Sequence, residues 1–273
     1  YLQFWCEKNL EYLRKKKLPK IFFSGTMRSA LNRLMSFVIR ENGGTILVFE
    51  HGCGAGIMKD FGFVWDLIYA SKFITNKKTI GHASSLLKSY QQMKIFKNKV
   101  KIENPKSSLV KNKKYFFNNK ISKAMFVVTT TNDNVFQNGP GMISVNQTIF
   151  LLSQIKDIFI SQNIEFILKL HPEKNSKKLI SYCKKNNIKV INGNLENMDL
   201  SDTIFLFENI TTSSFYNLFF LNCPIIILHN PLIKFIYKAY LKIKRRATIY
   251  NLKPIGDRFY INKIELIKKL KKL

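Results

Sequence analysis

The chain has 273 residues, room for two lobes of ordinary domain size, and its hydrophobic content of 46% is that of a globular protein. Its formal net charge is +28, from 45 basic residues against 17 acidic ones, so its field attracts phosphate-rich partners over about a Debye length. Scattered Lys, with only Arg14, Arg28, Arg33, Arg40, Arg245, Arg246 and Arg258 as arginines, argues against a specific nucleic-acid reader built on Arg forks and stacked aromatics, and fits an AT-rich genome as well as a selected surface.

The chain opens at Tyr1-Leu2-Gln3-Phe4-Trp5 without an initiator Met or a charged-then-apolar leader. The expectation is a cytoplasmic protein, here a piece of a longer chain with an incomplete first lobe. Ile21-Phe22-Phe23 before Ser24-Gly25 reads as a strand. Ser29 to Arg40 reads as an amphipathic helix closed by Asn42-Gly43-Gly44, and Arg28 at its start is a candidate contact for an acceptor carboxylate or phosphate. Thr45 to Phe49 is the next strand and runs into Glu50-His51-Gly52-Cys53-Gly54-Ala55-Gly56. Glycines there let backbone N–H groups approach a phosphate or sugar, and His51 can act as general base on an acceptor hydroxyl or hold the donor. A Gly-rich turn with an idle histidine is the plain alternative. A further strand is expected over Leu67 to Thr75, completing a first lobe over 1–78. Asp60-Phe61-Gly62 has none of the companion motifs of a kinase.

From Thr79 to Lys123 the chain is Lys-rich and weakly periodic, with helix expected over Ser84 to Phe96 and loop over Asn104 to Lys114, so this stretch is read as the linker. Apolar strands then alternate with helical segments over 124–231, the pattern of βαβ units and a parallel sheet. Ala124 to Val128 is a strand, followed by a loop with Thr130. Val145 to Ser161 is a helix, Glu165 to Leu170 a strand ending in His171-Pro172-Glu173, Lys177 to Asn186 a helix, and Lys189 to Ile191 a strand. Asp202 to Phe207 leads through Glu208 to Thr211-Thr212-Ser213-Ser214, then a helix over Ser214 to Leu221 and a strand over Ile225 to Leu228.

Ligands of open parallel sheets bind beyond the carboxyl ends of the strands, where His51, His171 and Ser213 all fall. A protonated imidazole can donate to a phosphate oxygen, and Pro172 fixes the exit of the chain at His171; a histidine that merely ends a strand is the alternative. Hydroxyls before an apolar helix make an anion site or an ordinary N-cap, and both readings stand. Glu173 and Glu208 are candidates for ribose or base. Cys6, Cys53, Cys183 and Cys223 form no CxxC pair, His82 and His229 have no metal-ligand spacing, and no DxD pair is present, so no metal and no resident cofactor are expected. Phe215 to Leu228 is too broken by Asn217, Asn222 and Pro224 to span a bilayer. Over 232–273, Leu232 to Arg246 and Ile261 to Leu273 are basic and amphipathic, suited to an anionic membrane surface or to packing on the second lobe.

With Lys169-Leu170-His171-Pro172 upstream, Ser213-Ser214, an apolar helix and Cys223-Pro224-Ile225-Ile226 resemble the second lobe of GT-B glycosyltransferases. More narrowly they resemble bacterial sialyl- and Kdo-transferases and the CDP-glycerol polymerases, over roughly Ala124 to Leu228. Glu50-His51-Gly52 resembles the Gln-His-Gly-Gly motif of surface-carbohydrate transferases, with Glu50, Cys53 and Ala55 departing from it. The resemblance implies two Rossmann-like lobes facing a cleft and a nucleotide-activated sugar, CMP- or CDP-linked, as co-substrate. It also implies a capsule, lipopolysaccharide or lipid-linked glycan as acceptor. His171, Pro172, Ser213, Ser214, Thr130 and Thr212 would hold the donor, His51 would serve the acceptor, and Gly52 and Gly54 would border the substrate. A sugar-nucleotide epimerase of the same build and a non-enzymatic basic module for membranes or nucleic acid are the alternatives.

Overall fold

A computed structural model describes residues 2–27, 29–50, 57, 64–75, 80–89, 101–103, 120–129, 144–172, 175–195, 198–210 and 212–272. The chain divides into two α/β units, Tyr1–Gly56 with Phe61–Leu109, and Ile57–Asp60 with Val110–Leu273. Each contains a parallel sheet of Rossmann-like βα build.

In the first unit, helix α1 (Leu2–Arg14) precedes β1 (Ile21–Ser24), α2 (Ala30–Glu41), β2 (Thr45–Phe49), α3 (Val64–Tyr69), β3 (Lys72–Ile74), α4 (Ile80–Ser89) and β4 (Lys101–Glu103). The strands pair in sequence order, all parallel. A glycine is required where α2 turns into β2. A Cβ on Gly44 would stand 2.8 Å from the Ile39 carbonyl oxygen and 2.9 Å from that of Lys20. Ile46, Val48 and Phe73 point to the side where Ile39, Leu67 and Ala83 close the core. Alternation sends Ile21, Phe23 and Phe49 to the other face, where they are 52%, 61% and 41% exposed.

Two expectations are corrected here. Leu67 to Thr75 is not one strand: Leu67 and Ala70, three apart and both buried, lie on one helical face, and the strand starts only at Lys72. The Ser71 hydroxyl makes the break, accepting the Ile46 N–H at 3.0 Å, while the Ser71 N–H donates to the Ile46 carbonyl. Nor is 79–123 only a linker, because α4 and β4 fall within it and send Ala83, Leu86, Leu87 and Ile102 into the first core. The loop expected over 104–114 lies outside the described residues.

The second unit runs β5 (Lys123–Val127), α5 (Val145–Ile160), β6 (Glu165–Lys169), α6 (Lys177–Lys185), β7 (Lys189–Ile191), β8 (Thr203–Phe207), α7 (Ser213–Phe219) and β9 (Ile225–His229). It continues with α8 (Tyr237–Arg246), β10 (Thr248–Asn251), the antiparallel pair β11 (Lys253–Ile255) and β12 (Arg258–Tyr260), and α9 (Lys263–Leu270). Its sheet is parallel, in the order β10-β9-β8-β5-β6-β7. On one face Ala124, Phe126, Leu168, Leu206 and Leu228 pack with Leu151, Ile155 and Phe159 of α5, Leu179 of α6 and Leu266 of α9. On the other, Phe207 meets the edge of the Phe215 ring of α7 at 5.3 Å, and Met125, Val127, Phe205 and Ile227 are equally enclosed. Covered faces explain why these strands read as unbroken apolar runs. Of the C-terminal stretch expected to be helical, Leu232 to Ile236 lies before α8, whose N-cap is Ile236, and β10 and the β11–β12 pair separate α8 from α9.

Candidate functional site

In the second unit β5 leads right to β6 and β7, and the chain then returns to place β8, β9 and β10 on the other side of β5. This is the doubly wound 3-2-1-4-5-6 order. Its switch point lies between β5 and β8, and in open sheets of this order ligands bind beyond the carboxyl ends of the strands at such a point. Thr130 follows β5, Glu208 to Ser214 follow β8, and His171-Pro172 follows β6 on the far side of β5. Two of the stretches singled out from the sequence, His171-Pro172 and Thr212 to Ser214, therefore follow strands of one sheet at their carboxyl ends.

At the exit of β6 the last ladder bond runs from the Leu170 N–H to the Ile191 carbonyl at 3.0 Å. His171 beyond it is half-buried, Pro172 is exposed, and the His171 carbonyl accepts the Asn175 amide at 2.7 Å, which fixes the turn. Just before it Lys169 is buried, with its ammonium donating to the Leu170 carbonyl. A lysine within Phe166 to Leu170 is the sequence signal for this group, since a strand covered on both faces must bury it.

At the exit of β8 the Thr212 hydroxyl accepts the Phe215 N–H at 3.1 Å, the ordinary N-cap bond of α7. Its own proton remains available to donate. Ser213 opens the helix and Ser214, half-buried, follows.

Glu208 directly follows β8 and is enclosed. Only 3% exposed, it lies on the α5 side of the sheet, where the Thr148 hydroxyl donates to its carboxyl at 3.1 Å and the Thr129 N–H also reaches it. Burial pushes its pKa up to about 7. It ties the end of β8 to the start of the β5 loop and to α5. The α5 N-terminus at this edge carries a capping box, with the Gln147 N–H donating to the Ser144 hydroxyl and the Ser144 N–H to the Gln147 side chain.

Beyond β9, the Asn230 side-chain oxygen Oδ1 accepts the Leu232 N–H at 3.0 Å in a local turn, and the His229 ring stacks on Phe235 with centroids 4.5 Å apart. Burial holds the His229 imidazole below its ordinary pKa. Asn209 and Asn230 are also buried at this edge, and neither stood out in the sequence.

In the first unit the β1 exit is fixed by the Asp66 carboxylate, which accepts the Met27 N–H at 2.5 Å, and by the Asn32 amide, which donates to the Thr26 carbonyl at 3.0 Å. Glu50, at the exit of β2, receives the Thr75 hydroxyl and donates its N–H to Ile74 at 2.9 Å. Arg28, His51, Gly52, Gly54, Thr130 and Glu173 lie outside the described residues. Among the described residues no group of three or more His, Cys, Asp or Glu could hold a metal ion, and no helix is long and apolar enough to cross a membrane.

No family model matches the chain, and no curated protein matches it. Among solved structures it is similar to UGT89C1 of Arabidopsis thaliana complexed with UDP-L-rhamnose, at 10% identity and a TM-score of 0.47, over 98% of this chain and 67% of that one. It is also similar to the MnaA–UDP structure from S. aureus, at 15% identity and a TM-score of 0.46, over 100% and 73% of the two chains.

Proposed function

We propose that this protein is a transferase that binds a nucleotide-activated donor at the carboxyl edge of its second sheet and passes a glycosyl or polyol-phosphate group to a cell-surface glycan or lipid-linked acceptor. The supporting observation is the strand order, which sets the β5 and β8 loops at a switch point, beside the exit of β6 that carries His171. In this reading His171, Ser213 and Ser214, with Thr130, Thr212 and the turn set by Pro172, hold the donor phosphate. They stabilise the negative charge that grows as the phosphate departs. A CMP- or CDP-linked donor and chemistry without a metal are part of the proposal.

His51, between Glu50 and the glycines Gly52 and Gly54, takes the proton of the acceptor hydroxyl as that oxygen bonds to the transferred group. Arg28 and Glu173 contribute to substrate contact, and the acceptor places the enzyme at the cytoplasmic face of a membrane. His51→Ala is expected to keep nucleotide binding and lower transfer by about 10²–10⁴-fold, the usual range for a general base, whereas His171→Ala weakens both. Transfer at the parent rate by His51→Ala in a radiolabelled-donor assay would overturn this assignment.

A further inference from the structure

The stretch from Asn230 to Arg246 has two sides. On the inner side Ile233 and Ile243 are buried, and the Arg246 guanidinium donates to the carbonyls of Phe219 at 2.9 Å, Leu218 at 3.2 Å and Cys223 at 2.8 Å, and to that of Leu221. This anchors α8 on the end of α7. On the outer side Leu232 is 68% exposed, Tyr237 70% and Leu241 36%. Tyr237 and Leu241 are four apart and form one row with Lys244; Lys238, Lys242 and Arg245 form the adjacent row, all exposed. No acidic residue occurs between Glu208 and Asp257.

We infer that this outer surface docks the protein on an anionic phospholipid bilayer, with Leu232, Tyr237 and Leu241 entering the headgroup boundary and Lys238, Lys242, Lys244 and Arg245 meeting the lipid phosphates. Apolar and cationic side chains share one exposed helix face, as interfacial helices require. A nucleic acid gains nothing from exposed Leu232 and Leu241, and Arg246, the residue best suited to fork a phosphate, is spent inside the protein. The other basic terminal helix does not extend the patch, because α9 seats Leu266 on the opposite face of the sheet. The surface begins just past β9, at the carboxyl edge assigned to the donor. It gives the proposed membrane location a concrete face, and it rests on that reading only for its purpose.

The test is sedimentation of the full chain, without nucleotide, with phosphatidylcholine vesicles that contain or lack phosphatidylglycerol. Binding to the anionic vesicles alone is expected, weakening with salt and by about fivefold for each of Lys238, Lys242, Lys244 or Arg245 changed to Ala. Serine at Leu232, Tyr237 and Leu241 together is expected to lower it by about tenfold or more, without altering binding to a single-stranded oligonucleotide. These side chains are exposed, so the melting temperature serves as a folding control. Equal binding to both vesicle types, or no loss in the basic-residue variants, overturns the inference. A triple serine variant that binds anionic vesicles like the parent also overturns it and marks the patch as a polyanion surface. Nucleotide binding is read separately, so failure here leaves the donor site standing.

Discussion

The two sheets obey the same pairing rule and differ in how they are covered. In β5 of the second unit, Ala124, Met125, Phe126 and Val127 are all buried, because α5 and α9 close one face and α7 the other. In β1 of the first unit, Ile21 and Phe23 project to solvent and only the alternate positions meet a helix. Parallel sheets normally have both faces covered. An apolar strand therefore contributes stability in proportion to what packs on it, and two equally apolar runs can differ widely.

The largest expected effect tests this directly. Phe126→Ala removes a ring closed in on all sides and is expected to cost about 3–5 kcal/mol, whereas Phe23→Thr on the open face changes stability by about 0.5 kcal/mol or less. Denaturant unfolding of the two variants measures both, and equal losses would break the contrast.

The second effect concerns the polar end of the covered sheet. The folded pKa of Glu208 lies above its unfolded value, so between about 4.5 and 7 the folded state binds the extra proton and stability falls as pH rises. The loss is on the order of 3 kcal/mol, complete above the folded pKa. Glu208→Gln, which cannot ionise, is expected to flatten that fall and to exceed the parent in stability above neutral pH. A Gln variant with the parent's pH profile would place the titration elsewhere.

A smaller effect probes the α7–α8 seam, which has no counterpart on the open face of the first sheet among the described residues. Arg246→Ala leaves several carbonyls without their cationic donor and is expected to cost about 2 kcal/mol. Arg245→Ala, exposed one position earlier, is expected to be neutral in stability and to sharpen the comparison.

Much of the second unit was legible in the sequence because covered strands are continuous apolar runs and their helices begin with clear caps. The strand at Lys189 to Ile191 and the helix opening at Val145 behind Ser144 fall where the pattern placed them. β10 escaped notice because Thr248 to Asn251 is short and follows directly on a basic helix; only Tyr250, buried with its hydroxyl accepting the Asn262 N–H at 2.6 Å, shows its core role. α3 was hidden by apolar residues on consecutive positions, which suit strand and helix alike. At the site, His171 and Thr212 could be placed because strand ends and helix caps have sequence marks. The enclosure of Glu208 could not, since it depends on Thr148, sixty residues away on another element.

The central claim is the donor site at the β5–β8 switch point, and thermal denaturation of the full chain with CMP, CDP, UDP and GDP tests it most directly. A ligand that binds only the folded state at about 100 times its dissociation constant adds about 2.7 kcal/mol. At least one of the four nucleotides should therefore raise the melting temperature by several degrees, and His171→Ala and Ser214→Ala should lose that shift while Phe23→Thr keeps it. No shift with any of the four nucleotides for the unmodified protein would contradict the account.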